Sequence, residues 1–159
     1  MSEPFSNEAF RQALAHFASG VTVVTAVDTD PVGFTCQAFA ALSLDPPMVL
    51  LAPAKSSTSW PRIARAGAFC VNVLASHQAG LARSFSRSGT DKFADVEWHP
   101  GEASGAPVLA GALAWAECAL DQIFDSGDHE LVTGSVLALG VANGEPLLFY
   151  RGGFGTFSG

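Results

Sequence analysis

Positive charge is scarce in this sequence. The 159 residues include eight lysines and arginines against fifteen acids, a formal charge of −7, which argues against partners held by phosphate-backbone attraction, whether nucleic acid or an anionic membrane surface. Charged residues of both signs make up only 14% and hydrophobic ones 48%. Such a chain is too apolar to be disordered, and part of its surface is expected to be covered by another subunit, most simply in a homodimer. Cysteine is scarce too. Cys36, Cys70 and Cys118 are odd in number and widely spaced, with no pair at metal-ligand spacing, so no metal site is expected and the thiols should be buried and free. No apolar run approaches the length of a membrane span, which removes a transmembrane helix. The start, MSEPFSNEAF, lacks a basic stretch followed by an apolar one; no signal peptide and a cytoplasmic location are expected. Glycine is plentiful, yet no Gly-x-Gly-x-x-Gly follows a strand and no Gly-x-x-x-x-Gly-Lys loop occurs, which disfavours a doubly wound dinucleotide fold.

What is present reads as one domain over 1–159, long enough to bury about two-thirds of its unfolded surface. Ser6 or Asn7 can cap a helix in which Phe10, Ala13, Leu14 and Phe17 fall at helical spacing, with Gly20 stopping it and one face expected on the body. Val21 to Val27 and Val32 to Phe39 flank the turn Asp28-Thr29-Asp30-Pro31 and predict a hairpin. Met48 to Ala52, Ala68 to Leu74, Trp115 to Phe124, Leu131 to Leu139 and Leu147 to Tyr150 add strands, and short helices are expected up to Gly67 and over Gln78 to Ser86. Asp95 to Gly111, rich in glycine, proline and acids, reads as a surface loop. About seven short strands, few helices and no regular alternation predict a mainly β protein, an antiparallel barrel with a few flanking helices.

Chemistry concentrates in Ser126-Gly127-Asp128-His129-Glu130, which sets a histidine and two acids beside a glycine between two apolar runs. A turn there holds a titratable ring at the mouth of a sheet. Lys55, Arg62, Arg65, Arg83, Arg87 and Lys92 are six of the eight basic residues, whereas from Phe93 onward Arg151 alone faces nine acids. Positive charge gathered in one third of an acidic chain suits a small anion, or else decorates solvated helix faces. Ser56, Ser57 and Thr58 at the opening of a helix, with Lys55 adjacent, offer hydroxyls and backbone N–H groups to an anion; a helix cap is the plainer role. Asn72 interrupts an apolar strand and requires a partner, ligand or backbone.

Several segments occur in order: Phe17-Ala18-Ser19-Gly20-Val21-Thr22-Val23-Val24-Thr25, Gly33-Phe34-Thr35-Cys36-Gln37-Ala38-Phe39, Ser43-Leu44-Asp45-Pro46-Pro47, Lys55-Ser56-Ser57-Thr58, Phe69-Cys70-Val71-Asn72-Val73-Leu74, Gly127-Asp128-His129 and Pro146-Leu147-Leu148-Phe149-Tyr150. In this series the chain resembles the short-chain flavin reductases, the reductase components of two-component flavin-dependent monooxygenases, from about Phe10 to Phe154. The resemblance implies a flavin-binding split β-barrel, Greek-key-like, usually a homodimer. It implies reduction of FMN or FAD by NADH or NADPH, and release of reduced flavin to a partner oxygenase acting on an aromatic or similar substrate.

By similarity, Thr35, Gln37, Ala38, Phe39 and Ser43 border the isoalloxazine, with serine where this chain has Gln37 in many members. Lys55, Ser56, Ser57 and Thr58 take the phosphate. Asn72, Phe85, Ser86 and Lys92 line the flavin or its tail, with Arg83 and Arg87 left as solvated helix face. Gly127, Asp128 and His129 lie by the nicotinamide, His129 as the catalytic, orienting group. Tyr150, Arg151 and Gly153 touch the nicotinamide nucleotide. NADH is expected over NADPH because no basic cluster is apparent near His129 to receive a 2′-phosphate. A non-catalytic flavin-binding electron carrier on the same barrel is the alternative. An oxidase of the pyridoxamine-phosphate type is disfavoured by the Gly-Asp-His segment and by the position of Lys-Ser-Ser-Thr.

Overall fold

Stretches rich in valine, threonine and aromatic residues extend, as their branched side chains favour. The computed structural model describes residues 4–89 and 91–159. In chain order the elements are α1 (Asn7–Leu14), β1 (Ser19–Gly20), β2 (Thr22–Val27), β3 (Pro31–Cys36), β4 (Phe39–Leu44), β5 (Pro47–Leu51), α2 (Trp60–Ala66), β6 (Ala68–Val73), a 3-10 turn (Ser76–Gln78), α3 (Ala79–Phe85), β7 (Trp98–Pro100), β8 (Pro107–Leu109), β9 (Ala114–Ser126), β10 (His129–Val141), β11 (Leu147–Tyr150) and β12 (Gly153–Thr156). Seven strands form one sheet in the order β3-β2-β6-β9-β10-β5-β4, every neighbouring pair antiparallel.

The crossover from β3 to β4 decides the shape. These are the two edge strands of the sheet, yet only Gln37 and Ala38 separate them. Laid flat, seven strands would hold their edges roughly 29 Å apart, whereas the stretch from Cys36 to Phe39 reaches at most about 11 Å. The sheet must therefore roll until its edges nearly meet, leaving a seam. This is a split barrel, mainly β and antiparallel, as the sequence predicts.

Val24, Leu51, Ile63, Phe69, Val71, Cys118 and Val132 fill one buried cluster; Val21, Val23, Leu74, Phe85, Leu109 and Leu147 form a second. Each such side chain contributes roughly 1.5–3 kcal/mol by leaving water. Asp28, in the β2–β3 turn, holds α2 through Arg65 (2.6 Å) and Arg62 (3.5 Å), and the Arg65 guanidinium depresses the Asp28 carboxyl below its ordinary value.

The region 95–111 is more than a surface loop. Trp98–Pro100 pairs with Pro107–Leu109, and Gly101, Ala106, Val108 and Leu109 are buried. Two polar side chains inside the protein hold it. The Glu117 carboxylate, itself buried, accepts from the N–H groups of Ala103 (3.1 Å) and Ser104 (2.9 Å) and from the Ser104 hydroxyl (2.7 Å). Gly101 abuts that carboxylate so closely that a Cβ would meet it at 2.0 Å. Asn72 does the equivalent work at β8. These polar anchors hide from hydropathy patterning, which reads acids and glycines as loop.

Helix α1 also departs from expectation. The Ser6 hydroxyl caps it by accepting from Ala9 N–H (3.1 Å), but no residue of the helix is buried, and Phe10 and Leu14 are more than half exposed. The helix ends at Leu14, short of Phe17. Cys36, Cys70 and Cys118 are buried and free as expected. Burial pushes Cys36 up to about 11 and Cys70 and Cys118 up to about 12, the last two further raised by the Glu117 charge. The thiols are therefore neutral, unreactive core groups at neutral pH. Their raised values add stability that is full below the ordinary thiol value of 9.0 and is lost as pH climbs through 11 to 12.

Candidate functional site

The seam opens into a cleft of about 510 Å³, within the range of small-molecule sites. One wall is the end of β3 and the crossover, Phe34 to Ala38; the second is Ala52 to Ala54 and Ser56 to Ser59; the third is Phe85 to Ser88, with Lys92 between walls and His129 at the rim. Although the chain carries fifteen acids, no carboxylate among the described residues lines this cleft, while Arg87, Lys92 and His129 do.

The second wall is built to donate. Ser57 Oγ accepts from Trp60 N–H (3.1 Å) at the start of α2. This bond, made from two residues ahead of the N-cap Ser59, leaves the Ser57 O–H proton free to point elsewhere. The Ser57 N–H is spent on Ala54 O (3.0 Å), whereas those of Ser56, Thr58 and Ser59 have no acceptor among the described residues. Lys92 ties the walls together. Its ammonium donates to Gly33 O (3.1 Å), Ser59 Oγ (3.2 Å) and Phe85 O (3.1 Å), and partial burial lowers its pKa. All three partners are neutral, so the charge is left uncompensated and favours an anion nearby.

The basic residues can now be sorted. Lys55 points out of the cleft to an ion pair with Asp125, Arg62 and Arg65 serve Asp28, and Arg83 lies over the Phe154 ring at 4.9 Å. Arg87 has no ion pair among the described residues and faces the cleft. In the structure Arg87 lines the cleft and Lys55 does not. Read along the sequence, Arg87 sits on a helix face; in the fold α3 stops at Phe85 with Ser86 as its cap, and Arg87 leaves the helix toward the seam.

His129 is positioned by backbone stitching. Strands β9 and β10 meet in a two-residue turn, Gly127-Asp128, with positive φ at Gly127 (68°) and not at Asp128, the pattern of a hairpin turn that places glycine first. Lys55 N–H donates to Asp128 O (2.9 Å), Glu130 N–H to Pro53 O (2.9 Å), and Trp60 Nε1–H to Glu130 Oε2 (2.9 Å). The tip of the hairpin is thereby locked to the serine-rich wall. Asp128 Oδ1 lies 2.7 Å from His129 Nδ1, and this bond holds the Asp128 carboxyl below its usual value. An ionised carboxylate only accepts, so Nδ1 carries the proton and Nε2 is left for a ligand.

Ten of the expected site residues line the cleft: Thr35, Gln37, Ala38, Ser56, Ser57, Thr58, Phe85, Ser86, Lys92 and His129. Two of them spend their hydroxyl protons elsewhere, Thr35 on Ala82 O (2.6 Å) and Ser86 on the same oxygen (2.8 Å). Phe39 packs against the core and Ser43 pairs with Met48 on β4, both away from the lining. Asn72 is fully buried, its amide satisfied by Val23 O, Thr25 Oγ1, Pro107 O and Leu109 N–H. It is fully buried and does not line the cleft. Tyr150 and Gly153 border a separate hollow with Phe154, and Arg151 another with Arg11 and His16. Gly127 and Asp128 flank His129 without lining the cleft, though Asp128 shares a second trough with it.

Comparison with known proteins agrees with this geometry. Residues 14–158 match the family model described as "Flavin reductase like domain". The chain belongs to this flavin reductase-like family. It is 45% identical over 158 residues to "Flavin-dependent monooxygenase, reductase subunit HsaB" of Mycobacterium tuberculosis, covering 97% of this chain and 84% of that one. It is 43% identical over 154 residues to "FMN reductase (NADH) SmoA" of Agrobacterium fabrum, covering 96% and 87%. The structure of the Streptomyces globisporus NADH:FAD oxidoreductase SgcE6 in complex with NAD and FAD fragments superposes with a TM-score of 0.93 at 36% identity, covering 99% of this chain and 96% of that one. For a flavin reductase-like chain the cleft suits a flavin: unpaired donors and Arg87 for a phosphate, apolar Phe34, Ala38 and Ala54 and backbone groups for a flat ring system.

Proposed function

We propose that this protein is an NAD(P)H:flavin oxidoreductase that uses NADH to reduce FMN or FAD and releases the reduced flavin to a partner monooxygenase. The observation that carries the reading is the acid-free, donor-rich cleft at the barrel seam with His129 locked at its rim. Bound flavin supplies a hydride acceptor there. The chain's own task is positioning: Ser56 to Ser59 and Arg87 hold the phosphate end, the 35–38 crossover borders the ring, Lys92 keeps the walls in register, and His129 Nε2 orients the nicotinamide amide. The phosphate contacts are few and exposed, which suits a cofactor that leaves as product. The names of the HsaB and SmoA relatives support the oxygenase partner and NADH.

The apolar surface this chain leaves open supports a homodimer: Phe10 and Leu14 on α1, Phe17 (84% exposed) and Leu139 and Val141 at the end of β10 (74% and 82%). No helix among the described residues is long and apolar enough to cross a membrane.

The expected result is that purified protein oxidises NADH, followed by nicotinamide absorbance, only when catalytic amounts of FMN or FAD are added. Tight flavin binding with no flavin-dependent NADH oxidation would instead mark a non-catalytic carrier.

A further inference from the structure

Trp60 touches three parts of the site at once. Its backbone N–H donates to Ser57 Oγ (3.1 Å) in the serine-rich wall, its ring meets Phe34 edge to face with centroids 6.5 Å apart, and its indole Nε1–H donates to Glu130 Oε2 (2.9 Å) beside His129. Ser57 and Phe34 line the cleft, and Trp60, only 3% exposed, does not. We propose that Trp60 is a positioning residue for hydride transfer: through Glu130 it fixes the direction in which His129 presents its imidazole to the donor. The proposal rests on the functional reading above, in which His129 meets the nicotinamide.

A ring at the start of α2 gains this control from the way the hairpin is attached. The main-chain links between wall and hairpin are Lys55 N–H to Asp128 O, the bridge between Ala54 and His129, and Glu130 N–H to Pro53 O. They follow one another along a single line. Links along a line hold the hairpin tip in place yet leave it able to roll about that line, and a tether off the line opposes the roll. Successive side chains of a strand point to opposite faces, so His129 meets the cleft rim while Glu130 reaches the other way, to Trp60. The Glu130 carboxylate is therefore a lever on the imidazole. It is half-buried and makes no ion pair among the described residues, which leaves the indole as its hydrogen-bond partner there. A hydrogen bond to an ionised group is roughly twice as strong as one between neutral groups. Any buried indole N–H needs an acceptor, and a neighbouring carbonyl would meet that need. Here the acceptor lies 70 residues along the chain, on the strand that carries His129. A displacement of about 1 Å in a group that orients a substrate costs up to about a hundredfold in rate.

Trp60→Phe keeps an aromatic ring and the backbone N–H to Ser57 and removes the indole N–H. At saturating FMN, its kcat/KM for NADH per flavin-binding site is expected to fall about tenfold, mainly through KM, with the FMN dissociation constant within about twofold of wild type. Expressing rates per flavin-binding site cancels any loss of folded protein. Glu130→Leu is expected to reproduce that loss, and Glu130→Gln, which keeps an acceptor, to recover most of it. Made in a His129→Ala background, Trp60→Phe is expected to have an effect below about twofold, because the group it steers is gone. A second arm uses no turnover: crystal structures of wild type and Trp60→Phe are expected to differ in the direction of the His129 ring. NADH kinetics unchanged in Trp60→Phe, a tenfold loss that persists without His129, or a ring that keeps its direction overturns the proposal. Failure of the functional reading looks different, as wild type that oxidises no NADH with flavin present.

Discussion

Replacing Asn72 with leucine is expected to cost about 3 kcal/mol of stability, lowering Tm by about 6–12 °C in a domain of this size, and to leave the FMN dissociation constant of the folded protein within about twofold. Leucine matches asparagine roughly in size but bonds nothing. Its introduction strands the Leu109 N–H, which now donates to Asn72 Oδ1 at 2.9 Å, and removes the Nδ2 donor from Val23 O and Pro107 O in a fully buried setting. Thr25 Oγ1 still donates to Pro107 O and keeps β8 on β2, but β8 loses the two Asn72 bonds that tie it to β6. Thermal unfolding and flavin titration on the same sample decide the matter. A variant of ordinary Tm with FMN affinity reduced tenfold would return Asn72 to the binding site.

His129→Ala is expected to lower kcat/KM for NADH by about a hundredfold, most of it through KM, while FMN binding changes little. Alanine removes Nε2, the only ring nitrogen not engaged by Asp128. The hairpin itself should persist, since Lys55 N–H to Asp128 O, Glu130 N–H to Pro53 O and the Trp60–Glu130 bond do not involve the imidazole. Steady-state kinetics at saturating flavin give the answer. NADH kinetics unchanged in this variant would remove the ring from the donor site.

The elements that repeat a period were legible in the sequence. The β2–β3 hairpin, the strands around Phe69 and Val132 and the Gly127-Asp128 turn all follow from alternation and turn chemistry confined to a few neighbouring residues. The site was legible as a set of segments because hydroxyl clusters and a histidine in an apolar context stand out. What the chain could not disclose was set by distant partners. Lys55 reads as the phosphate's cation and Arg87 as solvated helix face until Asp125 pairs with the first and the end of α3 turns the second inward. Asn72 looks like a ligand contact until β8, reached through residues that resemble a loop, arrives to satisfy it. The 37–38 crossover, which rolls the sheet and makes the cleft, carries no signal of its own, since a two-residue link between edge strands has meaning only once the strand order is known.

The central claim is that the seam cleft holds a flavin by its phosphate, with Arg87 and the Ser56 to Ser59 wall as the grip. Paired titrations of FMN and riboflavin against wild type, Arg87→Gln and Lys55→Gln test it most directly. Wild type should prefer FMN by at least about tenfold, Arg87→Gln should lose most of that preference, and Lys55→Gln should keep it. Equal affinity of wild type for the two flavins, or a preference lost with Lys55 and kept without Arg87, would contradict it.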